Sequence, residues 1–77
     1  MNINADFSTR LKELRLSRNL SQQSLGMVIG IKTQAISDME HGRIKTTLDK
    51  AIALADFFDV SVDYLVGRTD VPEVNKK

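Results

Sequence analysis

Apolar residues recur at helical spacing along this chain, and turn-forming residues divide them into five segments, which predicts an all-α, five-helix fold. The first helix is expected to start near Asp6 or Phe7, because Phe7, Leu11 and Leu14 fall at positions i, i+4 and i+7. It is expected to end at Asn19, a residue type that tolerates the left-handed conformation of helix ends. The side chains expected to face water are Arg10, Glu13 and Arg18.

The second segment carries signals for both ends of a helix. Ser21 can cap its start, and Leu20 and Leu25 have the spacing of a hydrophobic staple. Gly26 costs about 1 kcal/mol relative to alanine inside a helix, which indicates that another helix crosses closely there. Gly30 is expected to end the helix because glycine readily adopts positive φ. The predicted inward face consists of Leu25, Val28 and Ile29.

The third helix, over residues 32–40, has two chemically different sides. Its apolar side consists of Ala35, Ile36 and Met39. Its polar side consists of Thr33, Gln34, Ser37, Asp38 and His41, and Gly42 is expected to end the helix. Glutamine can pair with adenine N6 and N7, and threonine or serine can reach several bases. The alternative is an ordinary solvated face, but the glycine turn before the helix favours base contact.

The fourth helix, residues 48–58, is expected to be capped by Thr46 or Thr47 and to end at Asp59. The residues expected inside are Leu48, Ile52, Ala55 and either Phe58 or Leu54. A short fifth helix is expected between Ser61 and Gly67. Phe57 and Phe58 are adjacent, so one of them, with Val62 or Val66, forms either a self-association patch or part of the monomer core.

Composition narrows the class of protein. With 77 residues there is room for one domain, expected over residues 1–69 and followed by a flexible tail over 70–77 that holds the one proline, Pro72. The absence of cysteine excludes disulfides and cysteine-based zinc sites. No apolar run reaches the length of a membrane span, and the first residues do not resemble a signal peptide. We expect a cytoplasmic protein without cofactor, metal or small-molecule ligand.

The charge distribution is uneven. Residues 1–45 hold seven basic and four acidic residues, whereas residues 46–77 hold four basic and six acidic residues. This asymmetry can turn the N-terminal half toward phosphates, although the net charge is only +1. An enzyme is not expected: His41 is the only histidine, no P-loop is present, and Asp56, Asp59 and Asp63 lack the spacing of a calcium loop.

Residues 20–42 join a short helix, a glycine turn and a second short helix, as in a helix-turn-helix that places its second helix in the DNA major groove. The chain resembles the Cro/phage-repressor class of helix-turn-helix regulators (XRE-type) over residues 7–69. The segments that carry the resemblance are LSQQSLG, the turn at Gly30, AISDMEHGR, LDKAIALADFF and VSVDYL. It implies a compact, lambda-repressor-like bundle that binds double-stranded operator DNA as a homodimer and often represses transcription.

The resemblance also implies roles for individual residues. Gln22 corresponds to a phosphate or outer-base contact, and Arg43 to a backbone contact in a basic loop that also contains Lys45. Base-reading positions correspond to Thr33, Gln34 and Ser37, with a further contact position at Asp38. Arg15 and Glu40 correspond to a partly buried structural ion pair.

Three residues depart from the family pattern. Lys32 stands where a Ser or Thr cap is usual; it cannot accept backbone N–H groups, so it is expected to reach a phosphate while Thr33 caps one residue later. Asp38 brings a carboxylate toward DNA, either to accept from cytosine N4 or to exclude wrong sites. Thr46 replaces a frequent proline, which is expected to loosen the loop.

Two functions follow as hypotheses. The favoured one is a sequence-specific transcriptional regulator, a repressor that binds a palindromic operator as a dimer. The alternative is a protein-interaction module, such as an antitoxin or adaptor, which the near-neutral charge and Asp38 favour.

Overall fold

The computed structural model describes residues 3–73, which form five helices and no strand. The helices are α1 (Ile3–Ser17), α2 (Gln22–Ile29), α3 (Thr33–Glu40), α4 (Leu48–Phe58) and α5 (Val62–Leu65). The all-α, five-helix prediction is confirmed, and α1 begins a few residues earlier than expected.

The predicted caps explain where the helices begin and end. The side chains of Ser21, Thr47 and Ser61 accept backbone N–H bonds at the starts of α2, α4 and α5. Asn19 and Asp59 adopt positive φ after α1 and α4, as expected. At each of these two ends the next residue donates its backbone N–H back into the helix, from Leu20 to the Arg15 carbonyl and from Val60 to the Ala55 carbonyl. Local sequence therefore sets most helix boundaries.

One apolar core joins all five helices. Its fully buried large side chains are Phe7, Leu11, Leu25, Ile36, Met39, Leu54 and Leu65. Ala55, Phe58 and Val60 complete the core, and Phe57 and Val62 pack against it partly buried. Phe57 and Phe58 meet edge to face with ring centroids 5.0 Å apart. Both rings therefore pack within the monomer, although they are adjacent in the chain.

Two predicted inward faces are confirmed in part, since Leu25 on α2 and Leu54, Ala55 and Phe58 on α4 are buried, and are wrong at three positions. Val28 on α2 is 59% exposed, and Leu48 on α4 is 69% exposed. Ile52 is also exposed, whereas Ala51 and Leu54 are buried in its place. The buried stripe of α4 therefore runs through Ala51, Leu54, Ala55 and Phe58.

Two arginines that were expected to face water form long-range hydrogen bonds; Arg10 is half-buried, whereas Arg18 is exposed as predicted. Nη1 of Arg10 donates to the carbonyls of Tyr64 and Thr69, both at 2.6 Å, and its guanidinium pairs with Asp70 at 2.7 Å. Arg18 donates to the carbonyls of Phe57 and Phe58, both at 3.0 Å. The guanidinium thereby satisfies carbonyls at the C-terminal end of α4.

The first residues of the predicted tail also bond to the domain. The backbone N–H of Ser61 donates to the carbonyl of Pro72 at 2.9 Å, in addition to the contact between Arg10 and Asp70. Residues 74–77 of the predicted tail lie outside the described residues. The division of the chain at residue 69 stays a prediction.

Candidate nucleic-acid interface

The turn between α2 and α3 folds tightly back onto α2. Gly30 has φ 73°, and the backbone N–H of Ile31 donates to the carbonyl of Gly26 at 2.8 Å. A Cβ atom added at Gly26 would lie 2.3 Å from the carbonyl oxygen of Ile31. The predicted close approach at Gly26 therefore exists, but it is made by the backbone of the turn rather than by a crossing helix.

This turn presents α3 with its apolar side inward. Ile36 and Met39 are fully buried, whereas Thr33 and Gln34 are exposed. Ser37 and Asp38 are half-buried on the same outer side. We call Thr33, Gln34, Ser37 and Asp38 the polar face of α3. Two fully buried anchors therefore hold α3 with its polar face outward.

Asp38 connects the polar face to the following loop. Its Oδ1 accepts a hydrogen bond from Nε2 of Gln34 at 3.0 Å, and Nη1 of Arg43 lies 3.4 Å from the same oxygen. The Arg43 side chain is 58% exposed, so most of its guanidinium is available to another partner. The Asp38 carboxylate is therefore paired with a cation on its own surface.

Gly42 ends α3 as predicted, with φ 71°. The backbone N–H of Arg43 donates to the carbonyl of Asp38 at 2.8 Å, and that of Gly42 donates to the carbonyl of Met39 at 3.2 Å. These two bonds form a Schellman motif. Nδ1 of the exposed His41 lies 2.8 Å from the carbonyl oxygen of Ser37. The motif fixes where the basic loop leaves α3.

Lys32 is the N-cap of α3, and its side chain makes no capping hydrogen bond. Thr33 is the first residue of the helix, so the expectation that Thr33 caps one position later is wrong. Lys32, Arg43 and Lys45 are all exposed, and they precede and follow the helix. The positive helix N-terminus and these basic residues therefore accompany the polar face.

Among the predicted contact residues, Gln22 also has a structural role. It is half-buried, and its Nε2 donates to Oε1 of Glu40 at 3.1 Å. Oε1 of Glu40 also accepts from Nη2 of Arg15 at 3.0 Å, and Oε2 of Glu40 accepts from Nε of Arg15 at 2.6 Å. The start of α2 is thereby tied to the end of α3.

The ion pair of Arg15 and Glu40 is buried, as the resemblance implied. The hydrogen bond to Glu40 raises the pKa of Arg15 above its ordinary value; burial opposes this effect and Coulomb attraction to Glu40 adds to it. Arg15 is therefore charged at every pH at which the protein is handled. It binds Glu40 and the Leu20 carbonyl, so it is a structural residue.

Several arginines of the N-terminal half form hydrogen bonds or ion pairs with groups of the same chain. Arg10, Arg15 and Arg18 all bind carbonyls or carboxylates of the same chain. The predicted charge asymmetry thus overstates the charge available to an external partner. Arg10 and Arg18 also lie within 5.4 Å of aromatic ring centroids, on Tyr64 for Arg10 and on Phe57 and Phe58 for Arg18. Sequence spacing gave no signal for these long-range contacts.

Residues 3–73 contain no group of three histidine, cysteine or acidic residues that could hold a metal ion. None of the helices in this part of the chain is both long enough and apolar enough to cross a bilayer.

Comparison with known proteins identifies the motif. A family model described as "Helix-turn-helix" matches residues 11–65. YobD, an uncharacterized HTH-type transcriptional regulator of Bacillus subtilis, is 39% identical over 67 residues, which cover 87% of this chain and 60% of YobD. The HTH-type transcriptional regulator AnsR of the same organism is 37% identical over 59 residues, which cover 77% of this chain and 51% of AnsR. The chain thus spans about half to three-fifths of the length of these two relatives.

A solved structure shares the architecture. The restriction-modification controller protein C.AhdI of Aeromonas hydrophila superposes with a TM-score of 0.73 and 30% sequence identity, covering 79% of this chain and 92% of that chain.

Proposed function

The chain belongs to the XRE-type helix-turn-helix family of DNA-binding transcriptional regulators, and from this premise we propose that it reads a short duplex DNA site by inserting α3 into the major groove. One observation carries the proposal. Ile36 and Met39 anchor α3 from below, while Thr33 and Gln34 remain exposed on the opposite side. A helix that is held rigidly with an exposed polar face meets the requirement for direct readout of bases.

The proposed contacts fall into two chemical classes. Thr33, Gln34 and Ser37 read base edges, and Asp38 takes part in the same surface. Lys32, Arg43 and Lys45 contact phosphates, because their charges precede and follow α3 and their side chains are exposed. Gln22 contacts a phosphate or an outer base. Its bond to Glu40 uses one N–H and leaves the second N–H and the carbonyl for DNA.

We further propose that the protein binds as a twofold dimer and represses transcription from a palindromic operator. A single small domain offers few base contacts, so two half-sites about 34 Å apart on one face of the duplex would raise affinity and specificity together. Leu48 and Ile52 are one turn apart on α4 and both exposed, which supports self-association. A cytoplasmic location and the absence of enzymatic activity are parts of the same proposal.

A protein-interaction module on the same fold is the second candidate. Asp38 favours it, because its carboxylate withdraws part of the charge of Arg43 from the surface. The net charge of +1 favours it as well. An interaction module would bind duplex DNA without base preference, and its affinity for its partner would depend only weakly on salt.

Selection of bound sites from random duplex DNA tests the proposal. The full chain is incubated with a random duplex library at about 100 mM salt, and bound duplexes are sequenced after several rounds. A recurrent motif supports sequence-specific binding, and two inverted copies of it support the dimer. The Thr33→Ala/Gln34→Ala variant is the matched control, because it removes two exposed side chains without touching the core. If the wild-type protein and this variant enrich the same sequences, α3 does not read the DNA.

A further inference from the structure

A single carboxylate oxygen joins two of the proposed DNA-contacting side chains in the free protein. Oδ1 of Asp38 accepts from Nε2 of Gln34 at 3.0 Å and lies 3.4 Å from Nη1 of Arg43. Gln34 lies one turn earlier on α3, and the Schellman motif fixes the backbone of Arg43. The Asp38 side chain is 23% exposed, compared with 58% for Arg43. The carboxylate is thus less accessible than the guanidinium that it holds.

The bond to Asp38 determines which way the Gln34 amide points. An amide group has two N–H donors on one side and a carbonyl acceptor on the other. An ionised carboxylate can only accept hydrogen bonds, so it binds the NH2 group of Gln34 and repels Oε1. Turning the amide over would bring two acceptors together. Gln34 therefore keeps Oε1 and one N–H available for an external partner.

This fixed orientation distinguishes adenine from guanine. Adenine presents an acceptor at N7 and a donor at N6, which match one N–H and one carbonyl of a glutamine side chain. Guanine presents two acceptors, N7 and O6. Guanine therefore needs two N–H donors, but Asp38 occupies one N–H of Gln34, and Oε1 of Gln34 would face O6. Without Asp38 both N–H groups of Gln34 are free to bind N7 and O6 of guanine, so the amide tolerates both purines.

The same contacts argue against direct base reading by Asp38. Its Oδ1 is already shared between Gln34 and Arg43, and a carboxylate that approaches DNA is repelled by the phosphates. Pairing with Arg43 lowers that repulsion while the guanidinium, with five N–H donors, retains donors for a phosphate. Asp38 is thus suited to act through its two neighbours.

We infer that Asp38 is a positioning residue, which fixes the Gln34 amide so that it selects adenine over guanine at one base pair; the inference rests on the proposed DNA-binding function. Asp38 itself contacts no base in this arrangement. This role explains why an acidic residue belongs on a surface proposed to face DNA.

A double-mutant cycle on DNA tests the inference. Affinities of wild type, Asp38→Ala, Gln34→Ala and the double variant are measured by fluorescence anisotropy on the selected duplex and on a set carrying every single base-pair change. Comparison of Gln34→Ala with wild type identifies the base pair that Gln34 reads. Asp38→Ala is expected to lower adenine-over-guanine preference at that pair by about tenfold. It should have no effect on this preference when Gln34 is already alanine.

Two further variants separate orientation from charge. Asp38→Asn is expected to lose the same preference, because an asparagine amide can bind the Gln34 amide in either orientation. Asp63→Ala removes one negative charge from α5, where the carboxylate lies 3.8 Å from Arg68, and is expected to raise affinity for all duplexes without changing base preference. Thermal unfolding by circular dichroism establishes that each variant is folded.

Each remaining outcome decides the question. If Asp38→Ala leaves the adenine preference at the Gln34 pair unchanged, the inference is wrong while the DNA-binding proposal stands. If Asp38→Ala changes preference at a different base pair, Asp38 reads that pair directly and the positioning role is refuted. If wild type binds all duplexes equally, the proposed function fails first, and the inference fails with it.

Discussion

Arg15 on α1 and Glu40 at the end of α3 form a buried two-point ion pair, with Nε–Oε2 at 2.6 Å and Nη2–Oε1 at 3.0 Å. The pair attaches the proposed recognition helix to the first helix of the domain. Oε1 of Glu40 also accepts from Nε2 of Gln22 at 3.1 Å, so all three helices α1, α2 and α3 meet at one carboxylate. The position of α3 relative to the rest of the fold thus depends on Glu40.

Removal of one partner of this pair is expected to be strongly destabilising. Arg15→Ala or Glu40→Ala should lower the free energy of unfolding by about 3–5 kcal/mol, because the remaining charge is buried without its partner. Urea denaturation followed by circular dichroism measures the change. The double variant Arg15→Met/Glu40→Leu removes both charges and should recover most of the loss. Equal losses in the single and double variants would contradict the stranded-charge explanation.

Ile36 is expected to be an essential core anchor of α3. Ile36→Ala should lower the free energy of unfolding by about 2–5 kcal/mol, since it removes a fully buried side chain and leaves a cavity. Thermal and urea denaturation measure the effect. Leu48→Ala is the control, because Leu48 is 69% exposed in the monomer and its loss should change the stability of the monomer little. If Ile36→Ala melts at the same temperature as wild type, Ile36 does not anchor the core.

The close contact at Gly26 reverses the usual effect of alanine in a helix. Gly26→Ala should gain about 1 kcal/mol of helix propensity. However, its Cβ would lie 2.3 Å from the backbone oxygen of Ile31, so the turn must shift. Overpacking costs about 1–3 kcal/mol, and we expect a net destabilisation in urea denaturation.

Gly30→Ala is the informative comparison for Gly26→Ala. A Cβ at Gly30 would meet no atom within 4 Å, but the residue has φ 73°. Its cost should be about 1–2 kcal/mol and should come from backbone strain alone. We therefore expect Gly26→Ala to weaken DNA binding more than Gly30→Ala does in variants of equal stability, because only the former displaces the turn. If Gly26→Ala is more stable than wild type, the turn accommodates the added Cβ atom without loss of stability.

Gln34→Ala should relax base choice at one position of the preferred site. The expected loss is about 1–3 kcal/mol on the preferred duplex and much less on duplexes with that base pair changed. Anisotropy titrations on a set of single-base variants measure both. Gln23→Ala removes the same side chain from an exposed position on α2 and should leave base choice unchanged. If Gln34→Ala weakens binding to all duplexes equally, Gln34 does not read bases.

Arg43→Ala should weaken binding to all sequences and make it less dependent on salt. Loss of one phosphate contact is expected to reduce the log–log slope of affinity against salt concentration by about 0.9. Arg68→Ala removes the same charge from an exposed side chain after α5 and should leave the slope nearly unchanged. Titrations between about 50 and 200 mM salt make the comparison. An unchanged slope for Arg43→Ala would remove Arg43 from the phosphate contacts.

Local sequence determined the elements of this fold because helix ends depend on neighbouring residues. The hydroxyl groups of Ser21, Thr47 and Ser61 each accept the backbone N–H three residues later. Positive φ at Asn19, Gly30 and Asp59 is a property of those residue types and needs no distant contact. The apolar spacing of α3 likewise identified Ile36 and Met39 as its buried side. These signals together predicted the helix-turn-helix and the exposed side of its second helix.

Tertiary packing alone decided features that depend on distant parts of the chain. Leu48 and Ile52 fit the helical period of α4 as well as Ala51 and Leu54 do, and only the neighbouring helices select which stripe is buried. The long-range partners of Arg10 and Arg18, and the joining of Gln34 and Arg43 by Asp38, depend on which side chains and carbonyls the folded backbone brings together. Spacing along the chain contains no such distances. The sequence by itself therefore determined the motif and its exposed residues, whereas the folded structure decided which charges stay available and how the polar face is oriented.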